Sequence, residues 1–168
     1  MKGIVKKPVE VIGKNYKETF KKSPNCSGLL KPQGIILHHS AGSWAGLVPW
    51  CMNKDAKVSY HCAVAPNGER TILVPDNMKA WHAGRSSFRG RSGCNNFMLG
   101  IAVSGDTRSR ELSEDEINSV AQWCVRKMKA YNFGIDNITT HREVSPSRKS
   151  DVDIRAEKAI KARIVAVM

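Results

Sequence analysis

The chain has 168 residues, 27 Lys and Arg against 15 Asp and Glu for a formal net charge of +12, and 41% hydrophobic residues. Such a length and balance suit one domain with its own core, and exclude a disordered chain, a collagen-like repeat and a small scaffold that depends on disulfides. No run of about 18 apolar residues occurs, so no membrane-spanning helix is expected.

The first 22 residues interrupt their few apolar positions with lysine and leave no room for the apolar centre of a signal peptide. The expectation is a protein made in the cytoplasm that stays there unless another agent releases it. Cys26, Cys51, Cys62, Cys94 and Cys124 are an odd set without a C-x-x-C pair, and read as reduced thiols. The positive charge attracts polyanions: nucleic acid, anionic wall polymer, lipopolysaccharide or acidic membrane. No nucleic-acid recognition motif accompanies it, so nucleic acid is not the expected partner.

In chain order, residues 1–33 are lysine-rich and end in Ser, Pro, Asn and Gly punctuation, which suggests a basic N-terminal arm before a domain over 34–168. The apolar run Gly34 to His39 predicts a buried strand. Residues 58–65 and 70–74 flank Pro66-Asn67-Gly68-Glu69 and predict a hairpin. A further strand is expected over 98–103. Ser113 with Glu116 forms a capping box ahead of Ile117, Val120, Ala121, Cys124 and Met128 at helical spacing, closing near Asn132 to Gly134. A second helix is expected over 154–167. This order predicts a single α/β domain with a central mixed sheet flanked by helices.

The segments bearing candidate chemistry are LHHS (37–40), WHAG (81–84) and THREVSPSRKSD (140–151). Adjacent His38 and His39 on a strand face opposite sides, so one of them can enter a given site. Pro146 and its flanking serines predict a loop that gathers His141, Lys149 and Asp151. Two histidines distant in sequence and an aspartate suit a catalytic zinc with an open fourth position, although each histidine taken alone reads more readily as a hydrogen-bonded structural residue than as a ligand.

The segments IILHHSAG (35–42), VSYHCAVAPNG (58–68), AWHAG (80–84), GCNNFMLGI (93–101) and HREVSPSRKSD (141–151) resemble the zinc-dependent N-acetylmuramoyl-L-alanine amidases of the amidase-2 group. This group includes the phage T7 lysozyme type, the AmpD type and the peptidoglycan recognition proteins, and the likeness runs in family order over about 34–155. It implies a T7 lysozyme-like fold, one zinc ion held by His38, His141 and Asp151, and peptidoglycan as substrate. By the same resemblance Lys149 faces the developing oxyanion, and Tyr60 contacts the attacking water or the tetrahedral intermediate. Trp81, His82 and Asn95 match groove positions, and Arg85 belongs to a basic loop suited to a stem-peptide carboxylate.

The chain also departs from the family. Ala102 stands where many AmpD-type enzymes carry a glutamate base, which leaves that role to Tyr60 or to zinc-bound hydroxide. Gly93 stands where recycling amidases tend to have an arginine, and Val152-Asp153 follow Asp151 in place of Pro-Gly. The expected function is therefore a monomeric phage-type endolysin, drawn to the anionic envelope by its charge and acting on the wall after release. A cytoplasmic anhydromuropeptide-recycling amidase, a thiol amidase using Cys62 or Cys51, and a non-catalytic peptidoglycan- or nucleic-acid-binding module are the alternatives.

Overall fold

The computed structural model describes residues 11–168. Its central sheet has six strands in the order β1 (Glu18–Phe20), β5 (Arg70–Ile72), β4 (Cys62–Val64), β9 (Leu99–Val103), β3 (Ile35–His39), β10 (Ile138–Thr140). Only the β4/β5 pair is antiparallel, and it is the expected hairpin; every other neighbour is parallel. The sheet is mixed, as expected. The stretch read as an arm supplies β1 to its edge, while β2 (Cys26–Leu29) pairs antiparallel with β6 (Met78–Ala80). A small ribbon, β7 (Ser87–Phe88) with β8 (Arg91–Ser92), lies in the arginine-rich loop.

Alternation along β3 sets the layers. Ile35 and Leu37 pack with Val120, Trp123 and Cys124 of α2 (Glu114–Tyr131) and Ile160 and Ile164 of α4 (Ile154–Val167). Each such side chain contributes about 1.5–3 kcal/mol on full burial. Ile36 points the other way, against Ala83, Phe97 and Met98. Beside it on that face, Leu47 and Cys51 of α1 (Trp44–Met52) cover Tyr60, Ala63 and Ala102.

The capping box closes at both ends: Ser113 Oγ accepts from Glu116 N–H at 3.0 Å, and Glu116 Oε1 accepts from Ser113 N–H at 2.9 Å. Glu116 is buried, and both of its oxygens also accept from Arg110. Asn132 ends α2 with φ 55°, a left-handed conformation that asparagine tolerates. After Thr140 the chain makes one helical turn, α3 (His141–Val144), where a plain loop was expected. Thr140 Oγ1 accepts from Glu143 N–H and starts that turn, which ends ahead of Pro146. Val152 is buried in the main core and Asp153 caps α4, so the pair that replaces Pro-Gly is built into the packing.

Candidate metal centre

The last two residues of β3 part as strand geometry requires. The His39 imidazole meets Thr107, its Nδ1 2.8 Å from the threonine Oγ1, while His38 turns toward His82, His141 and Tyr60. His141 opens α3, and Asp151 lies at the far end of the loop that follows. The chain thus brings His38, His141 and Asp151 together, all three buried, with one potential ligand atom from each within 4.8 Å of the others.

The proton positions in this cluster follow from its partners. Met98 O can only accept, so His82 Nε2, 3.1 Å away, carries a hydrogen, and in the neutral ring His82 Nδ1 is an acceptor. His38 Nε2, 2.9 Å from that Nδ1, is therefore the donor between them. His141 Nε2 likewise donates to Ala83 O at 3.0 Å. Both Nδ1 atoms are left without protons, facing each other 3.1 Å apart. Asp151 adds Oδ2 at 3.5 Å from His38 Nδ1 and Oδ1 at 3.3 Å from His141 Nδ1. Two imidazole lone pairs and a carboxylate converging in a buried space call for a cation, and this donor set fits zinc.

The electrostatics agree. Burial lowers the pKa of His38 to about 4, so the ring is neutral at pH 7 and free to ligate. Burial pushes the Asp151 carboxyl up, and positive charge at the Nδ1 atoms of His141 and His38 outweighs this and holds it below the usual carboxylate range. The His39 backbone N–H also donates to Asp151 Oδ2 at 3.2 Å, which ties the second histidine to the site through its main chain.

A cleft of about 380 Å³ opens over this cluster. Tyr60, His82, His141, Lys149 and Asp151 line it, together with Trp50, Val58, Arg108 and Arg148, which sequence reasoning missed. Among the described residues Asp151 is the cleft's only carboxylate. Ala102 is in register with His38 on β9 and fully buried among apolar neighbours, so the site has no glutamate base. Burial raises the Tyr60 phenol above its ordinary value, so at neutral pH it is a hydrogen-bond donor.

Three of the expected substrate-binding residues are not among those lining the cleft. The Trp81 indole donates to Ser27 Oγ at 3.1 Å, a cross-link to β2. Asn95 Oδ1 accepts from the backbone N–H groups of His82 and Ala83. Arg85 borders a neighbouring depression with Val144 and Ser147, which shares Arg148 with the cleft. The thiol alternative fails on burial: Cys51 and Cys62 are inaccessible, the pKa of Cys51 is pushed up to about 12, and that of Cys62 is also raised.

His61, beside Tyr60, donates from Nε2 to Met78 O and accepts at Nδ1 from Gly100 N–H. Burial lowers its pKa to about 4 from 6.5. Its contribution to stability is fully present above pH 6.5 and is lost as pH falls toward 4, because the unfolded chain takes up a proton that the folded site refuses. Between pH 7 and pH 5 this amounts to about 2 kcal/mol. Urea denaturation of the metal-free protein at the two pH values should show a loss of at least that size, since other buried histidines such as His38 add to it, and the loss should be smaller by about the His61 share in His61→Asn; an equal loss in both proteins would assign the acid sensitivity to other groups.

Comparison with known proteins now gives the family. The sequence profile of the N-acetylmuramoyl-L-alanine amidases of the amidase-2 group matches residues 28–153. The chain belongs to this family. It is 35% identical over 95 residues to 1,6-anhydro-N-acetylmuramyl-L-alanine amidase AmpD of Salmonella typhimurium, covering 56% of this chain and 50% of the relative. The match to AmpD of Haemophilus influenzae is 39% over 101 residues, covering 56% and 52%. The chain thus spans about half the length of these curated relatives. In three dimensions it is similar to a selenomethionine AmpD structure, with a TM-score of 0.77, 24% identity and coverage of 94% and 97%. It is also similar to a mutant endolysin from Bacillus subtilis, with a TM-score of 0.72, 21% identity and coverage of 89% and 99%. At these identities the structural matches establish the shared fold.

Proposed function

We propose that this amidase-2 chain hydrolyses the amide between N-acetylmuramic acid and L-alanine with one zinc ion held by His38 Nδ1, His141 Nδ1 and Asp151. The observation that carries the reading is the pair of Nδ1 atoms 3.1 Å apart beside a buried carboxylate, with the hydrogens of both rings drawn to Nε2 by their partners. Zinc held there supplies a Lewis acid for the scissile carbonyl and a water of much lowered pKa. The residues of the chain do the rest. Lys149 places a cation at the rim of the cleft, where negative charge builds on the carbonyl oxygen. Tyr60 stays protonated at Oη and donates toward the reacting oxygen atoms, and Asp151 stays ionised. With no second carboxylate in the cleft, Tyr60 positions the attacking water and does not deprotonate it.

Trp50, 55% exposed at the cleft, takes the aromatic role expected of Trp81. Asn25 holds this wall by donating to the carbonyls of Cys51, Asn53 and Val58. A sugar ring laid on the indole face gives Trp50→Ala a KM raised about 3- to 10-fold, equivalent to about 0.5–1.5 kcal/mol, with kcat little changed. Steady-state kinetics on a glycan-bearing substrate test this, and an unchanged KM would remove Trp50 from the binding surface.

For the cellular role, the net charge of +12 supports action on an intact anionic wall, as a phage-type endolysin released to its substrate. The second reading, turnover of small anhydromuropeptides in the cytoplasm, is favoured by the 35–39% identity to AmpD and disfavoured by Gly93 and Ala102. Parallel assays decide between them. Efficient release of peptides from purified sacculi supports the lytic role, and turnover confined to soluble anhydromuropeptides supports recycling.

A further inference from the structure

The geometry points to one dipeptide, His82-Ala83, as the template that orients both metal-binding histidines, with Asn95 as its clamp. The side chain of the first residue accepts from His38 Nε2 at 2.9 Å, and the carbonyl of the second accepts from His141 Nε2 at 3.0 Å. These two bonds fix which nitrogen of each ring faces the metal. Asn95 Oδ1 accepts from both dipeptide N–H groups, at 3.2 Å for His82 and 2.9 Å for Ala83.

Every part of this frame is itself held. The His82 ring donates to Met98 O and lies against Gly100 of β9, where an added Cβ would come within 2.6 Å of the ring. Gly100 is thus required by close approach inside a strand whose other positions are apolar or Ala. Asn95 sits in a short 3-10 turn, Cys94–Asn96, entered through Gly93 at φ 72°, so this glycine gives the left-handed turn ahead of the clamp. Arg148 Nη2 donates to Ala83 O at 2.8 Å as well, which polarises the carbonyl that receives His141. His82 and Asn95, read from sequence as groove residues, are in this account positioning residues.

The inference rests on the zinc reading above, and the test separates the two. Zinc affinity is measured by competition with a chelating dye for the wild type, His82→Leu, His82→Asn and Asn95→Ala, with the stability of each metal-free protein recorded alongside. Loss of an outer partner of a metal-bound histidine costs about 10- to 100-fold in affinity, and this is expected for His82→Leu and Asn95→Ala. His82→Asn keeps an acceptor near the Nδ1 position and should hold affinity within a few-fold of the wild type, a rescue that a purely packing role would not give. In the zinc-loaded wild type, histidine 15N shifts should show hydrogens on Nε2 of both His38 and His141, a readout independent of how any variant folds. Wild-type affinity in His82→Leu, or His38 ligation through Nε2, would overturn the template role alone; a wild type that binds no zinc would overturn the zinc reading itself.

Discussion

Asp151→Ala is expected to lower zinc affinity by more than about 100-fold and to take amide hydrolysis to background, because in the proposed site it removes a direct ligand, where loss of an outer partner alone costs about 10- to 100-fold. The carboxylate is the sole anion of the candidate donor set, and it would neutralise half of a zinc ion's charge. Without it, the two Nδ1 lone pairs remain 3.1 Å apart with no negative charge to help hold a cation. The Asp151 side chain meets the β-sheet at the His39 N–H, on the last residue of β3, so any change should be local and the variant should keep its circular dichroism spectrum. Dye competition and peptide release are the measurements, and an Asp151→Ala protein that binds zinc like the wild type would remove Asp151 from the ligand set.

Lys149→Met is expected to lower kcat by about 100-fold, roughly 3 kcal/mol of transition-state stabilisation, with KM and zinc affinity little changed. Lys149 is exposed at the cleft mouth, and its charge is felt at His38, where it disfavours the protonated ring. It makes no part of the ligand set, so its removal should separate metal binding from turnover. Loss of zinc affinity in proportion to activity would assign Lys149 to holding the site. A kcat within a few-fold of the wild type would take the oxyanion role from it.

Much of this architecture was legible in the residues. Helix α2 was visible because the Ser113/Glu116 box and the apolar spacing from Ile117 to Met128 agree on the same start and face. Strand β3 and the β4/β5 hairpin were visible because apolar runs meet clear turn chemistry. Helix α1 was hidden by Gly46 and Pro49 within it, and the strands β1, β2 and β6 by their brevity and mostly exposed or half-buried faces. These owe their form to tertiary pairing, which local pattern does not report.

The site divides the same way. The segments holding His38, His141 and Asp151 could be picked out, because histidines and a carboxylate near turn residues mark metal chemistry. The roles of His82 and Asn95 could not, since a ring that orients another ring across 44 positions of sequence leaves no local signal. Trp50 is not singled out by sequence because the chain has four tryptophans and only the fold decides which indole is tied to β2 and which faces the cleft.

The most direct test of the account is the release of L-alanine amino termini from purified sacculi by the wild-type protein, before and after chelation and after zinc is restored. The account predicts release that stops on chelation, returns with about one equivalent of zinc per chain and leaves the glycan strands intact. Release that persists in the metal-stripped protein would contradict it.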